Sequence, residues 1–288
     1  MINNKILLTG SFGFVGTYFS NKYKDKYEMK TFSFLKDGKN TLDCTDTDVV
    51  FHLSALVHQM GGASAEEYER VNVTQTLELA KTAKESGVKH FVFMSTVKVY
   101  GEETDGVYTE ESICQPEDEY GKSKLKAELG LQKMESEDFK VSIIRTPIVY
   151  GYGVKANIKN LVSLVKRVPV LPFASIDNKR SMVYVGNLCC LVHEVITQKA
   201  SGIFLASDDE PLSTTRLIEL IANRLAKKVY LIKIPFFETL LKILKPSFHQ
   251  RLYMSLEVDN TLTKEKLNLK NLYSVEEGIK LVIQGEKA

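Results

Sequence analysis

Short apolar runs alternate with longer amphipathic stretches through the first half of the chain. Five of them, residues 5–9, 29–34, 49–54, 90–95 and 141–145, read as strands. Little polarity interrupts them, as expected of strands covered on both faces of a parallel sheet. Between the third and fourth, residues 65–86 carry Tyr68, Val71, Leu77, Leu79 and Ala80 at helical spacing and stop at Gly87. Strands joined by helical crossovers predict an α/β fold, a Rossmann-type doubly wound parallel sheet.

Beyond Pro147 the pattern changes. Helical segments at 156–167, 186–198, 214–227 and 236–244 dominate, with short strands at 182–185, 203–206 and 229–234. This predicts a doubly wound unit over 1–150 and a smaller mixed α/β lobe over 151–288, with segments free to cross between them; the motifs below assign dinucleotide binding to the first and substrate binding to the second. Ser274-Val-Glu-Glu277 is a capping-box pattern that opens a last helix.

Composition narrows the class. The 288 residues are 44% hydrophobic and 26% charged, an ordinary globular balance that excludes a disordered or fibrous chain. Lys and Arg number 38 against 36 Asp and Glu, a net charge of +2, which argues against nucleic acid as a partner. Cys44, Cys114, Cys189 and Cys190 form no CxxC pair, and the five histidines show no ligand spacing, so reduced thiols and no metal site are expected. His52, inside an apolar strand, reads as a core residue. MINNKILLTG is too short an apolar start for a signal peptide, and no run is long enough to span a bilayer, so a cytoplasmic protein is expected.

The chemistry begins after the first strand, with Gly10, Gly13 and Gly16 spaced GxxGxxG at the entry to a helix. Gly10 permits the tight turn, Gly13 lets a pyrophosphate approach the backbone, and Gly16 lets helix and strand pack closely. At the end of the second strand, where a carboxylate would take the adenosine ribose, residues 31–36 hold none. Ser33 and Lys36 there would tolerate a 2′-phosphate, so either NADP or NAD fits, with NADPH favoured. Tyr120-Gly-Lys-Ser-Lys124 places a phenol and an ammonium on one helical face, where the cation favours the phenolate and so proton exchange with a sugar hydroxyl or ketone. Thr96, at the end of the fourth strand, offers a hydroxyl to the reacting oxygen.

TGSFGFVG, DVVFHLSALVH, the asparagine of RVNVTQT, FVFMSTVKVYGE, YGKSK, RTPIVYGYGVKAN, NKRSMVYVGNL and YSVEEGI stand in one order along nearly the whole chain. That order resembles the extended short-chain dehydrogenase/reductase family of nucleotide-sugar epimerases, dehydratases and reductases. The resemblance implies Thr96, Tyr120 and Lys124 as catalytic hydroxyl, acid/base and supporting lysine. It implies Gly10, Phe12, Gly13, Phe14, Val15 and Gly16 around the pyrophosphate and Asp43 by the adenine. Leu53, Ser54, Ala55 and Pro147 would lie along the cofactor, with Asn72 supporting the active-site backbone. Lys155, Asn157 and Arg180 would hold the substrate's diphosphate and base; a guanidinium fork suits a pyrophosphate. A homodimer through 65–86 and 120–134 is implied too.

Two departures shape the expected reaction. Val97 and Lys98 stand where the family's dehydratases carry an Asp-Glu pair, so dehydration is not expected. Arg145-Thr-Pro-Ile148 lacks the asparagine typical of UDP-galactose 4-epimerases. The expectation is therefore reduction of a UDP-4-keto-6-deoxy-N-acetylhexosamine for surface polysaccharide. A UDP-sugar 4-epimerase with bound NAD is the alternative, and a non-catalytic cofactor sensor a remoter one. Residues 38–48 are too few for the usual third strand and its helix. The apolar, lysine-edged stretch 231–246 reads as a helix closed over the substrate lobe, although a membrane-surface helix would look alike.

Overall fold

Strand β1 (Lys5–Thr9) lies at the centre of the order reversal that organises the molecule. In the computed structural model, which describes residues 4–38, 42–57, 63–154 and 157–285, it pairs in parallel with β2 (Glu28–Phe32) on one side and β3 (Val49–His52) on the other. Helix α1 (Phe14–Tyr23) connects β1 to β2. After β3 come α2 (Ala65–Tyr68), a π-helical turn at Glu69–Thr74 and α3 (Gln75–Glu85), then β4 (His90–Thr96), α4 (Glu119–Met134) and β5 (Lys140–Thr146). The stretch read as one helix is thus broken by a wide turn, and Asn72 sits in it. Such turns recur at functional sites because they re-aim a side chain.

The second half supplies β6 (Ile148–Tyr150), α5 (Asn157–Arg167), β7 (Val170–Leu171), β8 (Met182–Tyr184), α6 (Val185–Thr197) and β9 (Gly202–Leu205). It continues through α7 (Thr214–Arg224), β10 (Tyr230–Leu231), α8 (Phe237–Leu244), α9 (Pro246–Tyr253), α10 (Thr261–Leu267) and α11 (Val275–Gln284). The capping box opens α11 as expected: Ser274 accepts from the Glu277 N–H, and the Glu277 carboxylate accepts from the Ser274 N–H.

One placement corrects the sequence reading. The strand near 203–206 was expected in the substrate lobe, but β9 pairs in parallel with β5 and completes a six-stranded sheet of order β2-β1-β3-β4-β5-β9. Its register, Ser142 with Gly202 through Arg145 with Leu205, buries Phe204 in the main core. β2 is the edge strand, and the short 33–48 connection places no strand or helix beyond it among the described residues. β6 pairs with β8 and β7 with β10 in two separate small parallel sheets.

His52 is a core residue. It is 1% exposed, its Nδ1 lies 2.7 Å from Thr9 Oγ1 and its Nε2 3.0 Å from Thr76 Oγ1, and burial holds its pKa down at about 3. The imidazole is neutral and locks β1, β3 and α3 together.

Candidate active site

The strand order reverses at β1, and the crevice beyond its carboxyl end is where an open α/β sheet takes a ligand. Gly10 turns the chain there with φ of +70°, and a Cβ on it would stand 2.9 Å from the backbone of Leu53 and Ser54. A Cβ on Gly16 would stand 2.4 Å from the Gly10 carbonyl oxygen. Gly13 is the N-cap of α1 and brings no side chain to the helix's free N–H groups. A Cβ-free cradle under an uncapped helix N-terminus fits the pyrophosphate of a dinucleotide. Phe14 and Val15 begin α1 and pack on the core, whereas Phe12 is 73% exposed at the rim, with Lys36 Nζ 3.9 Å from its ring centroid.

Gly16→Ala should weaken dinucleotide binding roughly 10-fold, because the new methyl forces the loop apart. Titration by NADH fluorescence reads this directly; an unchanged Kd would mean the loop does not hold the pyrophosphate.

The end of β2 does have a carboxylate nearby. Residues 33–37 form a tight turn, with the Lys36 and Asp37 N–H groups donating to the Ser33 carbonyl, and Asp37 Oδ2 accepts from the Ser33 N–H at 2.8 Å. Asp37 is the residue directly after the 31–36 stretch. Asp43 is exposed, and its carboxylate accepts from the Thr45 N–H at 2.8 Å and hydroxyl at 2.6 Å, bonds that hold it below the usual carboxylate range. On the other side of β1, the Ser54 N–H donates to Thr9 Oγ1, so Leu53, Ser54 and Ala55 leave β3 beside the glycine loop.

Asn72 ties this segment to the helix of the Tyr-Lys pair. Its Oδ1 accepts from the Leu56 N–H at 2.8 Å, and its Nδ2 donates to the Leu56 carbonyl at 2.9 Å and to Ser123 Oγ at 3.0 Å. Ser123 in turn donates to the Tyr120 carbonyl at 2.8 Å. Asp118 caps α4 through the Gly121 N–H, which fixes where the helix starts and hence where Tyr120 stands.

Thr96, Tyr120, Thr146, Pro147 and Arg180 line one cavity of about 330 Å³. Burial pushes the Tyr120 phenol well above its ordinary pKa, with the Asp118 charge adding to it. Lys124 is 2% exposed, its Nζ 3.8 Å from the Phe93 ring centroid, and burial lowers its pKa to about 7 against the opposing field of Glu128. At the positions where dehydratases carry acids, Val97 is buried and Lys98 is paired with Glu102 at 2.5 Å and Asp118 at 2.7 Å.

Arg180 and Ile148 also line a second cavity, of about 380 Å³, between α5, α7 and α9. Its walls are mostly apolar, including Leu161, Phe173, Leu217 and Phe248, with Arg251 and Arg180 the charged groups of the lining among the described residues. The Arg180 guanidinium donates to the Met254 carbonyl at 3.0 Å. Lys155 and the Asn157 side chain lie outside the described residues.

Beneath Lys124 runs a buried network that sequence reading missed. Arg145 Nη2 lies 2.6 Å from Glu128 Oε2 and Arg145 Nε 3.1 Å from the same oxygen, while Ser95 donates to Glu128 Oε1. A charged residue in an otherwise apolar strand was the available signal.

A model of the NAD dependent epimerase/dehydratase family matches residues 6–204. Over 97% of its length the chain is 36% identical to a UDP-glucose 4-epimerase of Vibrio cholerae, covering 94% of that protein. Over 82% of its length it is 26% identical to the N-acetyl-alpha-D-glucosaminyl-diphospho-ditrans,octacis-undecaprenol 4-epimerase of Escherichia coli O157:H7, covering 76% of it. The fold is shared with a UDP-N-acetylglucosamine 4-epimerase from Methanobrevibacter ruminantium M1 in complex with UDP-N-acetylmuramic acid, with a TM-score of 0.80, 21% identity, and coverage of 99% and 98% of the two chains. The glycine loop, the sheet order and the full-length match together place this chain in the NAD-dependent epimerase/dehydratase family, the extended short-chain dehydrogenase/reductases.

Proposed function

We propose that the chain is a 4-epimerase of a hexose or N-acetylhexosamine carried on a diphosphate, with the dinucleotide-binding unit over 1–150, completed by β9, and the substrate lobe over the rest of 151–288. The observation that carries this reading is the sharing of Arg180 by both cavities. A diphosphate held at Arg180 puts its sugar among Thr96, Tyr120 and Pro147 and sends its carrier into the cavity between α5, α7 and α9. Lys155 and Asn157 are assigned to the same diphosphate and base.

Gly10, Phe12, Gly13, Phe14, Val15 and Gly16 would hold the dinucleotide's pyrophosphate, and Leu53, Ser54, Ala55 and Pro147 would flank its length. When bound, it supplies reversible hydride acceptance. Tyr120 takes the C4 hydroxyl proton and returns it, Thr96 donates a hydrogen bond to the C4 oxygen, and Lys124 supports the phenolate. Asn72 positions the helix that carries both. Asp37, at the end of β2, disfavours a 2′-phosphate and supports NAD over the NADPH expected from Ser33 and Lys36; Asp43 remains a proposed neighbour of the adenine. A second copy against the α3–α4 face, where Leu129 is 51% exposed, would complete a homodimer.

The 36% identity to a UDP-glucose 4-epimerase supports epimerisation over the ketone reduction expected from sequence. The apolar cavity beyond Arg180 favours a second reading of the carrier. Among the described residues its lining holds no carboxylate to receive ribose hydroxyls, and a lipid diphosphate, as in the name of the E. coli relative, would fill it with isoprene units.

Purified protein should interconvert UDP-N-acetylglucosamine, or UDP-glucose, with its galacto epimer without added coenzyme. Turnover only of a 4-keto sugar, and only with added NADPH, would overturn the epimerase reading in favour of the reductase.

A further inference from the structure

Helix α8 rests on the substrate lobe by one edge and leaves most of its apolar surface uncovered. It has no buried residue, and Phe237 and Leu241 are its half-buried anchors, Phe237 meeting the Phe173 ring at 6.2 Å. Leu240, Ile243 and Leu244, at i, i+3 and i+4, are 53%, 72% and 68% exposed. Phe236, just before the helix, is 85% exposed and takes a left-handed φ of +61°, a backbone that bulky residues rarely adopt. With Tyr230, Ile232, Ile234 and Phe248, eight of the eighteen exposed large hydrophobic side chains among the described residues fall within 230–248.

Charge identifies what covers them. Residues 227–251 contain six basic side chains (Lys227, Lys228, Lys233, Lys242, Lys245 and Arg251) and one acidic, Glu238. Their net charge is +5 in a chain of +2, so the rest of the protein is −3. The five lysines are exposed, and the Glu238 carboxylate lies 3.3 Å from His249. Apolar side chains rimmed by lysines on an otherwise acidic protein match an anionic lipid surface, where aromatic and aliphatic groups enter the acyl boundary and ammonium groups meet phosphates. A bilayer carrying anionic lipid presents an apolar interior and a continuous layer of negative charge together, which matches apolar side chains and lysines spread over one segment. Among the described residues no helix is long and apolar enough to cross a membrane, so the contact is interfacial.

We propose that residues 230–248, centred on α8, dock this chain on an anionic bilayer. Docked so, Phe248, which lines the cavity beyond Arg180, is part of the lipid-facing patch, and that cavity is held beside the membrane. The proposal does not depend on which sugar or carrier the site takes.

Flotation with vesicles of phosphatidylglycerol and phosphatidylcholine, and with phosphatidylcholine alone, tests it. The full chain should bind the anionic vesicles at least ~10-fold more tightly, and added salt should reduce the difference. Leu240→Asp/Ile243→Asp and, separately, Lys242→Glu/Lys245→Glu should each lower binding at least ~10-fold, with melting temperature and NADH titration unchanged because these side chains are exposed. Ile113→Asp, at a side chain 78% exposed and outside both this patch and the α3–α4 face, should change nothing on vesicles. No preference for anionic vesicles, or binding unaffected by the α8 variants, would overturn the proposal. So would chromatography showing that Leu240→Asp/Ile243→Asp only splits an oligomer, since the face would then be covered by a second copy.

Discussion

Replacing Tyr120 with phenylalanine is expected to lower turnover at least ~100-fold while leaving dinucleotide affinity nearly unchanged. Burial discourages charge on both Tyr120 and Lys124. The Tyr120 phenol is pushed up, so alone it stays protonated at neutral pH. The Lys124 ammonium is pushed down to about 7, so alone it readily loses its proton. The two stand four residues apart on α4, so that phenolate and ammonium would each supply the counter-charge that the other lacks, and proton exchange with the sugar would become possible near neutrality. Lys124→Met should therefore also slow turnover, and its rate should recover partly as pH rises, since the phenolate then forms only in more alkaline solution. Tyr120→Phe should show no such recovery. A Tyr120→Phe rate within 10-fold of wild type would remove Tyr120 from the proton path.

The residues of that pair were legible because their evidence is local. YGKSK spans little more than about one turn of helix, and the glycine loop lies within seven residues. What sequence left out depends on partners far along the chain. β9 has the same short apolar appearance as a strand of the small lobe, and only its pairing with β5, about sixty residues earlier, makes it the sixth strand of the main sheet. The π-helical turn at Glu69–Thr74 keeps near-helical periodicity, so 65–86 reads as one helix, yet the extra residue turns Asn72 toward Leu56 and Ser123. Asp37 reaches back to Ser33 through a turn whose closure no local pattern announces. In α8 the apolar stripe was plain, but a stripe does not say what covers it, and the structure leaves it uncovered. Ser95, Glu128 and Arg145 are separated by 17 to 50 positions, and one buried network joins them.

Breaking that network carries the largest expected cost to stability. Arg145 is 3% exposed and Glu128 1%, so each has given up water for the other. Arg145 also lies over the Tyr100 ring, its Cζ 4.7 Å from the centroid. Arg145→Leu would leave the Glu128 carboxylate buried with the Ser95 hydroxyl and the more distant Lys124 charge. The expected loss is about 3–5 kcal/mol, seen as a fall in melting temperature of roughly 10 °C. Glu128→Leu/Arg145→Leu should recover at least about half of it, because the double variant buries no unpaired charge. A loss below about 1 kcal/mol for Arg145→Leu would show that Glu128 finds another partner or takes up a proton. Lys124 distinguishes the two halves of the pair. Glu128 is the anion whose field opposes the loss of the Lys124 proton, so Glu128→Gln should lower the lysine's pKa further and slow turnover beyond what its stability explains. Arg145→Leu, which keeps that carboxylate, should spare turnover in the fraction that remains folded.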